Sequence, residues 1–212
     1  MSIDPWSILK GELLMISDLS VKVTDVLLSN RIIEKQDEDI YKYGLELLMS
    51  TVINLTCIIF IGCMFGKFIQ TTIFILEYCF IRRYAGGYHA DTHGRCIAAF
   101  SILYFLMLGI TEMFHINEAN LILILASIVS NIIVFQLSPV ADQNKPLEDH
   151  EIKRNSLMSK RLVIISLVIN IILYLFFKNE YSLVLFALYA QVWVGAVVLV
   201  GYIKNRYITK LL

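Results

Sequence analysis

The chain lacks net charge: 18 Lys and Arg stand against 18 Asp and Glu over 212 residues. Recognition of a nucleic-acid backbone needs a basic surplus gathered on one face, so that class of partner is excluded. Cysteine is scarce as well. Of the four present, Cys57, Cys63 and Cys79 lie inside apolar runs, where a reduced thiol packs as a small hydrophobe, and a disulfide framework is excluded. No cleavable leader is expected, because residues 6–15 are interrupted by Lys10 and Glu12 and no small-residue cleavage site follows. Internal repeats are missing too, unlike in transporters assembled from duplicated halves.

What the chain does have is apolar surface. It is 58% hydrophobic with a mean hydropathy of +0.69, where soluble domains run at ~45–50% apolar. The reading is an all-α integral membrane protein, a single membrane-embedded domain over residues 1–212. Residues 1–40 carry Trp6, Leu9, Leu13, Ile16, Leu19, Val23, Val26, Leu27 and Ile33 at helical spacing among charged residues, which predicts one or two amphipathic helices lying in the interface. The cluster 34–39 is expected at the start of the next helix, where acidic residues suit the dipole. A transmembrane bundle of about six helices follows over 41–203, with spans at 41–65, 68–81, 97–114, 119–137, 162–177 and 181–203, and a basic tail at 204–212. The second span is short of the ~20 residues a bilayer needs. The longest polar connection is 138–161.

Six spans place both termini on one side. The N-terminal region with Lys42 at the edge of the first span, the 82–96 loop, the 138–161 loop and the tail hold all Lys and Arg except Lys67 and Lys178. The positive-inside rule then sets these four segments in the cytoplasm, a reducing compartment.

The reactive groups concentrate at residues 82–96, RRYAGGYHADTHGRC. Gly86, Gly87 and Gly94 are expected to break a regular helix and to let backbone amides approach a ligand. Cys96 is expected in the first turn of the third span, where the helix dipole and Arg95 lower a thiol pKa from its ordinary ~8.5. His89 as general base completes a thiolate nucleophile suited to an amide or ester carbonyl. Amides of Gly86 and Gly87, or Arg82 and Arg83, are candidates for holding the oxyanion. Glu77 is an intramembrane carboxylate and so a candidate supporting residue, with Arg82 or Arg83 expected as its partner; a structural ion pair at the membrane boundary stands equally open. The competing chemistry is zinc on His89, His93, Cys96 and Asp91. That spacing matches no standard structural zinc pattern, so the nucleophile is favoured and no metal or cofactor is expected. His115 and His150 receive no role.

The segment Arg82-Arg83-x3-Gly87-x-His89-Ala90-x5-Cys96 resembles the signature of the accessory gene regulator B (AgrB) family, bacterial membrane cysteine endopeptidases of quorum sensing. The resemblance covers most of the chain and reaches the 138–161 loop with Pro139 and Asn144-Lys145-Pro146. It implies that an AgrD-like precursor peptide, lying on the inner membrane face by an amphipathic helix, loses its acidic C-terminal tail through an acyl-enzyme thioester. The precursor then cyclises to a thiolactone or lactone. It further implies Cys96 as nucleophile, His89 as base, supporting positions at Arg82 and Gly87, a basic loop residue at Lys145, and a homodimer in the bacterial cell membrane. Two other classes stay open here: a small membrane transporter or peptide exporter using Glu77, Glu112 and the arginines, and a zinc-dependent membrane hydrolase.

Overall fold

A computed structural model describes residues 5–88, 93–113, 117–141, 147–177 and 181–209. The expectations placed on His89, Asp91, His115 and Lys145, and on the side chains of His93 and Glu112, lie outside the described residues. The elements are α1 (Pro5–Ser29), a 3-10 turn (Lys35–Asp37), α2 (Glu38–Met64), α3 (Phe68–Ala85), α4 (His93–Met113), α5 (Asn117–Leu137), α6 (Asp149–Phe176) and α7 (Tyr181–Thr209). Among the described residues there is no strand, only an isolated parallel bridge between Gly86 and Val140. The all-α class holds. By length and composition, Lys35–Met64, Gly94–Thr111, Asp149–Phe176 and Tyr181–Tyr207 can cross a membrane, and Leu121–Leu137 is a shorter apolar helix.

The chain divides into two compact units, Met1–Ile61 with Ala90–Gly109, and Gly62–His89 with Ile110–Leu212. In the first, α1 is one continuous helix. Its described buried face is Ile16, Ser20 and Thr24, while Leu19 and Val26 point outward. The expected apolar stripe is thus split, because Ser20 turns inward to donate to Glu46 Oε1 of α2 at 3.2 Å. Glu38 and Asp39 occupy the first turn of α2, as the dipole favours.

The second unit is built around α7, which packs most extensively on α5 and α3, with α6 against α3 and α5. Ile81, Ala85, Val134, Val140, Val163, Val194 and Val198 form its buried core. Three boundaries differ from expectation. α3 runs past residue 81 to Ala85, with Arg82 and Arg83 in its last turn, where cations meet the negative end of the dipole. α4 starts at His93 and so includes Gly94; in a first turn, glycine costs little because the amides there have no intrahelical partner in any case. Much of the 138–161 connection is helix. Glu148 and Glu151 form a capping box, satisfying orphan amides, so α6 begins at Asp149 and carries its polar turns ahead of the apolar run.

Candidate functional site

The base of the 82–96 loop is held from several directions. α3 stops because Gly86 adopts φ 66° and ψ −150°, a combination open essentially to glycine alone. The Gly86 N–H donates back to the Arg82 carbonyl at 3.1 Å. Val140 then lies alongside: its N–H donates to Ala85 O at 2.9 Å, and its carbonyl accepts from Gly87 N–H at 3.0 Å. Tyr88 N–H donates to the Val197 carbonyl of α7 at 2.9 Å, and Arg82 Nη2 donates to the Tyr88 carbonyl at 2.7 Å. α7 can come this close because residue 201 is glycine; a Cβ there would run into Tyr88 N and the Gly87 backbone. One turn on, Lys204 Nζ sits 5.0 Å from the Tyr88 ring centre, and Asn205 Nδ2 donates to the Ala141 carbonyl at 2.8 Å.

This geometry corrects one expectation. The amides of Gly86 and Gly87 are spent on Arg82 and Val140, so they fix the loop rather than wait for an oxyanion. Arg82 serves the same end through Tyr88. Arg83 is exposed, its guanidinium carbon 5.7 Å from the Tyr84 ring centre.

In the other unit, Cys96 lies in the first turn of α4 and is exposed. None of the four cysteines is in a disulfide. The first turn of a helix presents amides without intrahelical partners and the positive end of the dipole, and Arg95, also exposed, precedes the thiol. The Cys96 thiol is thus accessible at a helix start.

Glu77 is only 8% exposed, and its partner is not the expected arginine. Its carboxylate accepts a hydrogen bond from Ser166 Oγ of α6. Ser166 in turn accepts from Gln191 Nε2 of α7 at 2.5 Å, and Gln191 Oε1 accepts from Asn131 Nδ2 of α5 at 2.8 Å. A chain of polar side chains therefore ties the four helices of this unit together. A buried polar group left without a partner costs about 1–3 kcal/mol. Ser166→Ala removes the hydroxyl that bridges the Glu77 carboxylate and the Gln191 amide, so a loss of about 1–3 kcal/mol is expected, read as a lowered thermal midpoint in detergent. An unchanged midpoint would show that the chain contributes nothing.

Arg82, Gly87 and Glu77 thus share one unit, Cys96 stands in the other, and His89 and Lys145 lie outside the described residues. Sequence reading missed Val140, Val197, Gly201, Asn205, Ser166, Gln191 and Asn131. For Gln191 and Asn131 a clue existed: each is an amide inside a long apolar run. For Val140 and Val197 there was none, because they act through their backbone carbonyls.

The family model described as Accessory gene regulator B matches residues 20–198. The chain is similar to AgrB-like protein 1 of Clostridium perfringens (strain 13 / Type A), 33% identical over 152 residues, which is 68% of this chain and 78% of that protein. It is also similar to an AgrB-like protein of Clostridium perfringens (strain SM101 / Type A), 26% identical over 169 residues, 76% of this chain and 79% of that one. With accessory gene regulator protein B of Staphylococcus aureus (strain MW2) it shares 30% identity over 142 residues, 66% of this chain and 72% of the relative. No solved structure matches the chain.

Proposed function

The chain belongs to the accessory gene regulator B family, and from that premise we propose that it is a membrane cysteine endopeptidase that trims and cyclises a quorum-sensing precursor peptide. The observation that carries this reading is the exposed Cys96 in the first turn of α4. The sequence motif ending at Cys96 and the anchored backbone leading up to His89 support it.

In the proposed reaction, His89 takes the Cys96 thiol proton, and the thiolate attacks the carbonyl that precedes the acidic tail of an AgrD-like precursor. The C–N bond breaks, the tail amine leaves with the proton from His89, and an acyl-enzyme thioester remains. A thiol or hydroxyl within the precursor then gives its proton to His89 and attacks that thioester, the C–S bond to Cys96 breaks, and the Cys96 thiolate takes the proton back, giving a thiolactone or lactone. With a thiol, one thioester replaces another, so closure is near balance and needs no ATP. Exclusion of water from the thioester favours cyclisation over hydrolysis. Arg82 and Gly87 act as positioning residues through the contacts described above, Glu77 supports the helices that carry them, and Arg83 with Lys145 supplies positive charge toward the acidic tail. The protein works as a homodimer in the bacterial cell membrane, with about six crossings and with both termini and the 82–96 loop cytoplasmic, as its Lys and Arg distribution favours.

The test is intact-protein mass spectrometry of lipid-reconstituted enzyme mixed with a synthetic precursor. The expected result is a mass gain equal to the precursor without its tail. Precursor held intact, with no adduct and no released tail, would overturn the peptidase reading in favour of binding or transport. Removal of the base in His89→Ala is expected to slow tail release by about 10²–10⁴-fold. A wild-type rate in that variant would remove His89 from the chemistry.

A further inference from the structure

A groove of about 370 Å³ runs between α5 and α6. Its lining holds the polar Asn131 and Gln136 of α5, and its apolar walls are Ile128, Ile132 and Phe135 on α5 and Val163, Ile164 and Leu167 on α6. Apart from Val163 these apolar side chains are exposed, so the groove opens outward rather than into the core. The walls are ordered by helical spacing. Residues 128, 131/132 and 135 descend α5 one turn at a time, and 167, 163/164 and 160 descend the matching face of α6. Lys160 is therefore the next residue along the α6 wall. Its Nζ lies 5.2 Å from the centre of the Phe135 ring, which fixes the ammonium at the end of the groove beside the C-terminus of α5. Arg161 follows it and is exposed. The nearest acid upstream on α6, Glu151, is nine residues away, roughly 13 Å along the axis, and stands 3.9 Å from Arg154.

The result is a largely apolar groove with the Lys160 ammonium at one end and the exposed Arg161 next to it in the chain. A flexible hydrocarbon chain fits it, and the cations select what such a chain is attached to. We infer that the α5–α6 groove binds an anionic phospholipid, with an acyl chain along Ile128, Ile132, Ile164 and Leu167 and the headgroup phosphate on Lys160 and Arg161. The inference uses none of the residues of the proposed reaction and does not depend on the proposed peptidase activity.

Native mass spectrometry of the full chain in detergent, titrated with dioleoylphosphatidylglycerol or dioleoylphosphatidylcholine, tests it. One phosphatidylglycerol should be retained preferentially, and Lys160→Gln should weaken that retention about fivefold, the scale of one basic side chain near an anionic headgroup. Equal retention of the two lipids, or retention indifferent to Lys160→Gln, overturns the inference. A photoreactive benzoylphenylalanine at Ile132 supplies an independent reading in lipid-reconstituted protein. An adduct of phospholipid mass supports the site, whereas a cross-linked dimer, a precursor adduct or no adduct overturns it.

Discussion

Cys96→Ala is expected to form no thioester adduct and to release no tail from the precursor. Alanine offers no atom that can attack a carbonyl, so both proposed steps are lost together: the bond before the tail is never broken and there is no activated acyl group to close the ring. Loss of the nucleophile in a hydrolase built on a nucleophile–base pair lowers turnover on the order of 10⁶-fold, below detection for tail release followed by liquid chromatography. The substitution falls on an exposed side chain, so the thermal midpoint should stay near that of the wild type, which separates lost chemistry from lost fold. A variant with Cys57, Cys63 and Cys79 replaced by alanine should keep the adduct. An adduct on Cys96→Ala would move the nucleophile to another residue and sink the assignment.

The second large effect falls on Gly86. With φ 66° and ψ −150°, any other residue is strained by about 1–3 kcal/mol. A Cβ here would also overlap the Val140 carbonyl, the acceptor for Gly87 N–H. Relief requires Val140 to move away, which breaks the bonds to Ala85 and Gly87 at about 0.5–1.5 kcal/mol each. Gly86→Ala should therefore destabilise the protein on the order of 3 kcal/mol and abolish tail release. Gly44→Ala is the contrast. Gly44 sits within α2, where a Cβ would meet nothing within 4 Å, so alanine should stabilise by about 1 kcal/mol. Equal midpoints for the two variants would show that the loop base does not depend on glycine.

The sequence by itself determined the class, the order of helices and the residues with reactive groups. Apolar runs of membrane length leave helices as the way to satisfy backbone amides, and a polar, glycine-bearing segment among them stands out by composition. The placement of Cys96 in a first helical turn was legible for the same local reason. Helix ends were less so: α3 ran on through Arg82 and Arg83, and α6 began at Asp149, more than three turns before the apolar run, from a capping box at Glu148 and Glu151, because dipole and cap energies outweigh composition at a boundary. Only the tertiary structure decided what the polar groups inside the bundle do. Glu77 pairs with Ser166 rather than an arginine, and Gly86 and Gly87 turn their amides to Arg82 and Val140 rather than to a ligand. Ser166 and Val140 lie far along the chain from their partners, and two of the anchors, Val140 and Val197, act through backbone groups that every residue possesses. Side-chain type carries no record of a backbone contact, so the hold on the loop became visible only once α3, α7 and the segment after Pro139 were packed side by side.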